Sequence, residues 1–354
     1  MPNALCIQVP KNQGEKALAL ANKLGLIDMS LSIQRDENQL YIPLIRQPED
    51  NELETLNQVP NLQLTIGDFT EKKPVEETLL QVLQIELPPN LLASIPHSLD
   101  IIGDIAIIEI PPELKTYETL IGTSVLKTHK NIKTVLAKAG AISGTYRIRE
   151  LTFIAGENKT RTIHNEYGCQ YHVDVAKAYF SPRLSHEHQR VASLVQDGEA
   201  IVDLFAGVGP FSVLIAKNNP KVKVYAVDIN PEAVELLKTN VRVNRVENRV
   251  YPILGDAREL AASKLYGVAD RAIMNLPETA IDFVDASCHT LKPSGGIIHF
   301  YGFIRQPDSI EELKLRFLNA AEQARRKVTA FLYAKSIRET APYESQVVLD
   351  AKII

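Results

Sequence analysis

Ile201-Val202-Asp203-Leu204-Phe205-Ala206-Gly207-Val208-Gly209-Pro210-Phe211 is the stretch that decides the fold. Its first four residues read as a buried parallel strand, and Gly207 and Gly209 then remove side chains where the backbone must turn and a ligand must come close. Pro210 suits the first position of a helix, where its missing N–H is not needed, and Phe211, Val213, Leu214 and Ile215 give that helix an apolar side. Strand, glycine turn and helix together make a nucleotide-cofactor cradle, because the free N–H groups at the helix start face the ligand.

The residues that follow narrow the ligand. Val222–Val227 is a second apolar strand ending in Asp228-Ile229-Asn230, and an acid at that point is placed to accept hydrogen bonds from both hydroxyls of a ribose. NAD and S-adenosylmethionine both satisfy this. A dinucleotide fingerprint asks for a third glycine or alanine where Ser212 stands, and it has no place for Pro210. A tight turn with no ligand is the bland alternative. Asn275-Leu276-Pro277 follows another apolar strand, Ala272-Ile273-Met274, and so falls on the same carboxyl edge as the glycine turn and Asp228. An amide and a stiffened loop at that edge suit a flat base. Taken alone the tripeptide is more often an Asx-type turn.

The chain of 354 residues, 45 % hydrophobic, is long enough for two or three packed domains. It contains no run of eighteen apolar residues, and Met1-Pro2-Asn3-Ala4 does not open a signal peptide, so a cytoplasmic protein is expected. Cys6, Cys169 and Cys288 are scattered, which predicts neither disulfides nor a zinc site, and His186 and His188 lack partners at metal-ligand spacing; no metal is expected. The net charge of −4 does not announce a nucleic-acid binder, but eight Lys or Arg between Ser124 and Thr162 face only Glu150 and Glu157. For any one of those lysines a solvated surface position is the ordinary explanation.

Along the chain, residues 1–68 read as a small α+β domain, with strands at Leu5–Val9, Leu31–Gln34 and Leu40–Leu44 and a helix at Gly14–Leu24. Gly67–Pro74 is the expected linker. Residues 75–180 form a second α+β domain: helices at Val75–Leu83 and Tyr117–Thr128, and strands at Asp104–Ile110, Gly144–Ile154 and Arg161–Val175, the last turning at Glu166-Tyr167-Gly168. Its basic strands, with Lys159 and Arg161, can approach a phosphate backbone. Residues 181–354 alternate strands and helices and end in two strands with no helix between them. That pattern predicts an α/β fold: a seven-stranded, mostly parallel Rossmann-like sheet of the class I methyltransferase type, with one strand reversed near its edge.

Six motifs in one order, Arg147-Ile148-Arg149-Glu150-Leu151, Ala155-Gly156-Glu157-Asn158, Tyr179–Leu184, Asp203–Phe211, Asp228-Ile229-Asn230-Pro231 and Asn275-Leu276-Pro277, resemble the archaeal and eukaryotic tRNA (guanine-N1) methyltransferases. These modify the guanosine 3′ of the anticodon, position 37 of the tRNA, and the likeness extends over nearly the whole chain. The resemblance implies S-adenosylmethionine as cofactor and tRNA as partner of the first two domains; a monomer is expected. It implies that Arg147 contacts guanine O6, that Glu187 takes the N1 proton, that Asn275 and Pro277 hold the base with Tyr179 beside it, and that Asp203, Phe205, Gly207, Gly209, Asp228 and Asp256 surround the cofactor. His186 departs from the pattern, which has a smaller residue before the acid. The chemistry asks for these types independently: N1 of guanine carries a proton, so methyl transfer needs a base, and charge develops on O6, which a guanidinium can meet.

Three other readings stand beside this one. The aminocarboxypropyl transferases of wybutosine synthesis resemble the chain and act on the same tRNA position; the Asn275-Leu276-Pro277 edge favours methyl transfer. An RNA-binding module with a vestigial cofactor site would not need Asp228, Asn275 and Glu187 together. A small-molecule methyltransferase would leave the basic strands without a task.

Overall fold

The computed structural model describes residues 2–72, 78–96, 98–140, 144 and 146–354. It divides into two compact units, Met1–Glu77 and Thr78–Ile354.

In the first unit, β1 (Asn3–Pro10) is central to a four-stranded sheet. Helix α1 (Gly14–Lys23) follows, then β2 (Gln34–Arg35), β3 (Gln39–Pro43), α2 (Asp50–Leu56) and β4 (Gln63–Asp68), giving the order β2-β3-β1-β4. Ile7, Val9, Ala17, Ala21, Ile42 and Leu56 fill its core. Two expectations need correction. Gly67 and Asp68 end β4 and pair with Ala4 and Asn3, so the sheet takes the start of the expected linker. Leu31 makes only an isolated bridge to Glu71, and the strand expected there starts at Gln34. Residues 73–77, which include the end of that linker and the start of the expected helix at Val75, lie outside the described residues.

The second unit opens with α3 (Leu79–Leu83) and a four-stranded sheet: β5 (Leu99–Ile102), β6 (Ile105–Ile108), β7 (Thr134–Lys138) and β8 (Leu151–Gly156), with α4 (Glu118–Thr128) before β7. The strand expected from Gly144 is shorter: residues 144, 146 and 147 are turn, Ile148 is an isolated bridge, residue 145 is outside the described set, and the ladder with β7 begins at Leu151. A hairpin, β9 (Arg161–Glu166) and β10 (Cys169–Asp174), follows. After α5 (Ser185–Leu194) comes the alternating run: β11 (Ala200–Asp203), α6 (Pro210–Asn218), β12 (Lys223–Asp228), α7 (Pro231–Val243), β13 (Val250–Leu254), α8 (Ala257–Ala261), β14 (Arg271–Met274), α9 (Val284–Thr290), β15 (Gly296–Arg305), α10 (Ile310–Gln323), β16 (Val328–Ala341) and β17 (Glu344–Ile353). The seven strands lie in the order β13-β12-β11-β14-β15-β17-β16. Only β17 runs against the rest, one place in from the edge, which is the class I methyltransferase sheet.

The expected division at residue 180 falls inside this unit, and α7 shows why. Asn240 and Asn244, one turn apart, present their amides to β10 as a neighbouring strand would: Asn240 accepts from the His172 N–H at 2.7 Å and Asn244 from the Gln170 N–H at 2.9 Å, while their NH2 groups donate back to the carbonyls of the same two residues. An edge strand is thus satisfied by a helix face. Beneath it a single apolar cluster joins Ile102, Ile107 and Leu136 to Val191, Phe211 and Val213.

Candidate active site

Strand register brings the site together. Asp203 lies opposite Ala226 and Ile273, so β11, β12 and β14 end level and deliver the glycine turn, Asp228 and Asn275 to one edge. Gly207 and Gly209 both have positive φ, +56° and +90°, where a side chain is strained. Their surroundings separate their roles. A Cβ on Gly209 would sit 2.3 Å from Leu237 Cδ1, so this glycine serves packing, whereas one on Gly207 would meet only the Tyr179 carbonyl oxygen at 3.6 Å, on the face of a pocket.

Asp228 lines that pocket. Its Oδ2 accepts the Gly207 N–H at 2.6 Å and its Oδ1 the Asn230 N–H at 2.9 Å, which fixes the carboxylate between turn and strand end. Burial pushes its pKa up against those bonds. Phe205, Ile229, Asp256, Ala257 and Phe283 continue the wall, with Phe205 edge-on to Phe283. Asp256 caps α8, accepting from Arg258 and Glu259 N–H.

On the other side stand Tyr179, Asn275, Leu276, Pro277, Tyr146 and Arg147. The Asn275 Oδ1 is buried without a hydrogen-bond partner among the described residues. Such an acceptor is costly unless a ligand supplies the donor. The Phe303 N–H holds the Pro277 carbonyl at 3.2 Å, tying this loop to β15. Arg147 has left-handed backbone, φ 53°, and its guanidinium forks onto Glu278 at 2.7 and 3.0 Å. Beyond it opens a cleft with Lys138, Arg149, Arg183 and Arg338 on its walls.

Four expected site residues do not line this pocket, among them Lys159 and Arg161, which were expected on the middle strands. Asp203 is buried beneath the turn and not on the pocket wall: it accepts from Ser212 Oγ at 2.7 Å, and burial raises its pKa to about 7. Lys159 is held between Asp104 and Glu157, each at 2.8 Å, so its charge is already matched. Arg161 is well exposed and, among the described residues, bonds only Asp174, at 3.2 Å. Both of these flank a separate shallow pocket. Glu187 lies on α5 between Leu184 and His188, which do line the active pocket, but its own carboxylate turns toward Arg190 and Tyr301, and its side chain is 9 % exposed. That orientation has a physical cause: the i,i+3 position of Arg190 and the buried Tyr301 hydroxyl both need this acceptor.

The sequence reading missed His188 as a pocket residue. Its Nδ1 donates to the buried Glu166 at 2.7 Å and its ring stands edge-on to Phe211. Four-residue spacing from Leu184 was the available signal. Tyr301 and Asp350 were missed because nothing local joins them to the site, whereas Arg190, three residues after Glu187, and Glu278, directly after Pro277, stood beside predicted residues.

Known proteins are similar to this chain along its length. Residues 162–329 match the TRM5/TYW2 methyltransferase domain, 79–160 the TYW2 N-terminal domain and 6–52 the tRNA methyltransferase 5 N-terminal domain. The tRNA (guanine(37)-N(1))-methyltransferase Trm5b of Pyrococcus abyssi is 40 % identical over 354 residues, covering 99 % of each chain. The chain belongs to the Trm5 family of tRNA methyltransferases. Among solved Trm5 structures, that of the complex of aTrm5 with tRNALeu superposes with a TM-score of 0.75 at 33 % identity, covering 99 % of this chain and all of that one. Pyrococcus horikoshii TYW2 in complex with MeSAdo matches less of it, 78 % at 29 % identity and a TM-score of 0.66. The match to the Trm5 N-terminal domain falls within the first unit.

Proposed function

We propose that the protein transfers the methyl group of S-adenosylmethionine to N1 of guanosine 37 in tRNA. The observation that carries this reading is one pocket holding a backbone-fixed Asp228 at one end and, at the other, an Asn275 Oδ1 without a partner among the described residues, beside Pro277 and Tyr179 and next to a cleft lined by both cations and carboxylates. The residues fit the cofactor: Gly207 leaves its face of the turn open, and Asp228 keeps acceptor capacity beyond the two bonds from Gly207 and Asn230. When bound, the cofactor supplies an electrophilic methyl carbon and departs as a thioether, so alignment carries much of the rate.

In this reading Asp228 accepts the ribose hydroxyls, and Phe205, Ile229, Asp256 and Phe283 flank the adenine. Asn275 accepts from an amino group of the inserted guanine, and Pro277 and Tyr179 confine the ring. Arg147 leaves Glu278 to meet the charge that develops on O6. Glu187 takes the N1 proton, and the nitrogen electron pair so released forms the bond to carbon. The target nucleotide is splayed from a single-stranded loop, where unstacking is cheapest. Cations of the cleft and of β9, the exposed Arg161 among them, hold the phosphate backbone; we read the enzyme as a cytoplasmic monomer.

Mass analysis of nucleosides from tRNA incubated with protein and methyl-labelled cofactor tests the proposal: 1-methylguanosine with S-adenosylhomocysteine is expected. The match of residues 79–160 to a TYW2 N-terminal domain supports a second reading, aminocarboxypropyl transfer. That reaction would release methylthioadenosine instead.

A further inference from the structure

Resting on the reading of the protein as a methyltransferase for guanosine 37 of tRNA, we propose that Arg338 is the anchor for a phosphate of the RNA strand directly beside the inserted guanosine. The cleft and the active pocket share a rim, since Arg147, Tyr179, Phe180, Ser181 and Pro277 line both. A nucleotide whose base lies among Asn275, Pro277 and Tyr179 therefore has the cleft as a path for its backbone, where each phosphate calls for a cation.

The cations of the cleft are not equivalent. Arg183 Nε donates to Asp100 at 2.5 Å, and Lys138 lies 3.2 Å from Glu109 and 3.9 Å from the same Asp100. Arg147 forks onto Glu278. A phosphate at any of these three must first displace a carboxylate. Arg149 and Arg338 have no carboxylate partner among the described residues, and of the two only Arg338 is held in place. Its Nε donates to Oε1 of the buried Gln346 at 2.9 Å and its Nη1 to Ser181 Oγ at 3.4 Å, neutral acceptors that orient the guanidinium without cancelling its charge. Both Nη2 hydrogens and one on Nη1 stay available, and such a planar fork suits a phosphate. Strand register explains the aim. Arg338 pairs with Gln346 across β16 and β17, flanked by register shifts between Ser336 and Arg338 and between Glu339 and Ala341, and bulges of this kind re-aim a side chain. The remaining carboxylates of the cleft do not bond it: Glu344 takes Arg305 at 2.6 Å and Thr340 at 2.8 Å, and Glu339, the next residue, is exposed.

Arg338→Gln removes the charge yet leaves an amide nitrogen where Nε stands, so Gln346 keeps a donor. The variant is expected to bind tRNA about tenfold more weakly and to lower the slope of log affinity against log salt by about one, with S-adenosylmethionine affinity unchanged by calorimetry. A tRNA with one uncharged methylphosphonate linkage, 5′ or 3′ of guanosine 37, locates the contact. One of these two linkages is expected to cost the parent about as much as Arg338→Gln does and to cost the variant little more, because both changes remove the same interaction. Losses that add at both linkages overturn the site, as does a variant with the parent's affinity and salt slope; methylation of guanosine 37 by the parent then leaves the functional reading standing. A parent that makes no 1-methylguanosine at that position removes the functional reading, and the phosphate anchor with it. Should Arg338→Gln not fold, Arg338→Lys carries the same cycle: it keeps the charge and loses the fork, so its smaller loss should likewise disappear against that methylphosphonate RNA, and a loss that persists there overturns the site.

Discussion

The two halves of the pocket are built by different means. The cofactor side is made of backbone: a glycine turn, two N–H groups on Asp228, a helix capped by Asp256, all within about one strand-helix unit of one another. The opposite side rests on side chains drawn from distant segments: on its wall Arg147 meets Glu278 131 positions away, and behind α5 Glu187 meets Tyr301 114 away and Arg190 meets Asp350 160 away. Backbone sites tolerate sequence change and announce themselves locally. Side-chain networks fail together when one member goes.

The largest effect should come from the networked side. Glu187→Gln keeps the shape and loses the proton acceptor, and its single-turnover rate should fall by roughly two to four orders of magnitude while cofactor and tRNA still bind. A near-normal rate would show that the network around Glu187 is structural and that the contrast between the halves is not one of catalysis.

Beneath the cofactor turn, Asp203 tests whether the backbone side carries hidden cost. Its carboxyl sits at about 7 in the folded protein, against the ordinary 3.8, because burial outweighs the Ser212 bond. Between those values the folded state holds a proton the unfolded state has lost, so this contribution to stability is fully present below about pH 4 and is lost as pH rises through about 7. The span corresponds to about 4 kcal/mol. Thermal melts of Asp203→Asn, compared with the parent from pH 4 to 8, should show a gain for the variant that grows with pH; parallel curves would mean the carboxyl is ionised throughout. On the same side, Asp228→Ala should weaken S-adenosylmethionine binding by about ten- to a hundredfold by calorimetry, the loss of charged hydrogen bonds to the ribose.

What the sequence made legible follows the same divide. The sheet, its reversed strand and the residues Gly207, Asp228, Asn275 and Pro277 could be read because apolar runs and glycine or proline punctuation encode them locally. β5 and β7 went unread, their short runs carrying no alternation distinct from the neighbouring loops, and Asp203 was placed on the pocket wall although it turns down to Ser212. For Glu187 the residue was legible and its orientation was not, since that depends on Tyr301 and on Arg190's tie to Asp350, partners that no spacing rule connects.

The smallest effects belong to the basic hairpin, where charge alone suggested that Lys159 and Arg161 act alike. The structure separates them. The Lys159 ammonium lies between two carboxylates, and its pKa is raised chiefly by the bond to Asp104, so its field at a phosphate is largely cancelled; Arg161 is 76 % exposed with a single partner. A phosphate contact through Lys159 would first have to displace Asp104 or Glu157, which offsets most of what the contact gains. Arg161→Ala should therefore weaken tRNA binding by about two- to tenfold and lower the slope of log affinity against log salt by about one, with Lys159→Ala changing affinity less than about twofold. Equal losses from the two variants would show that the Lys159 pairs open on the RNA, and a double variant with an unchanged salt slope would move the backbone contact to the cleft beside Arg147, lined by Lys138, Arg149, Arg183 and Arg338.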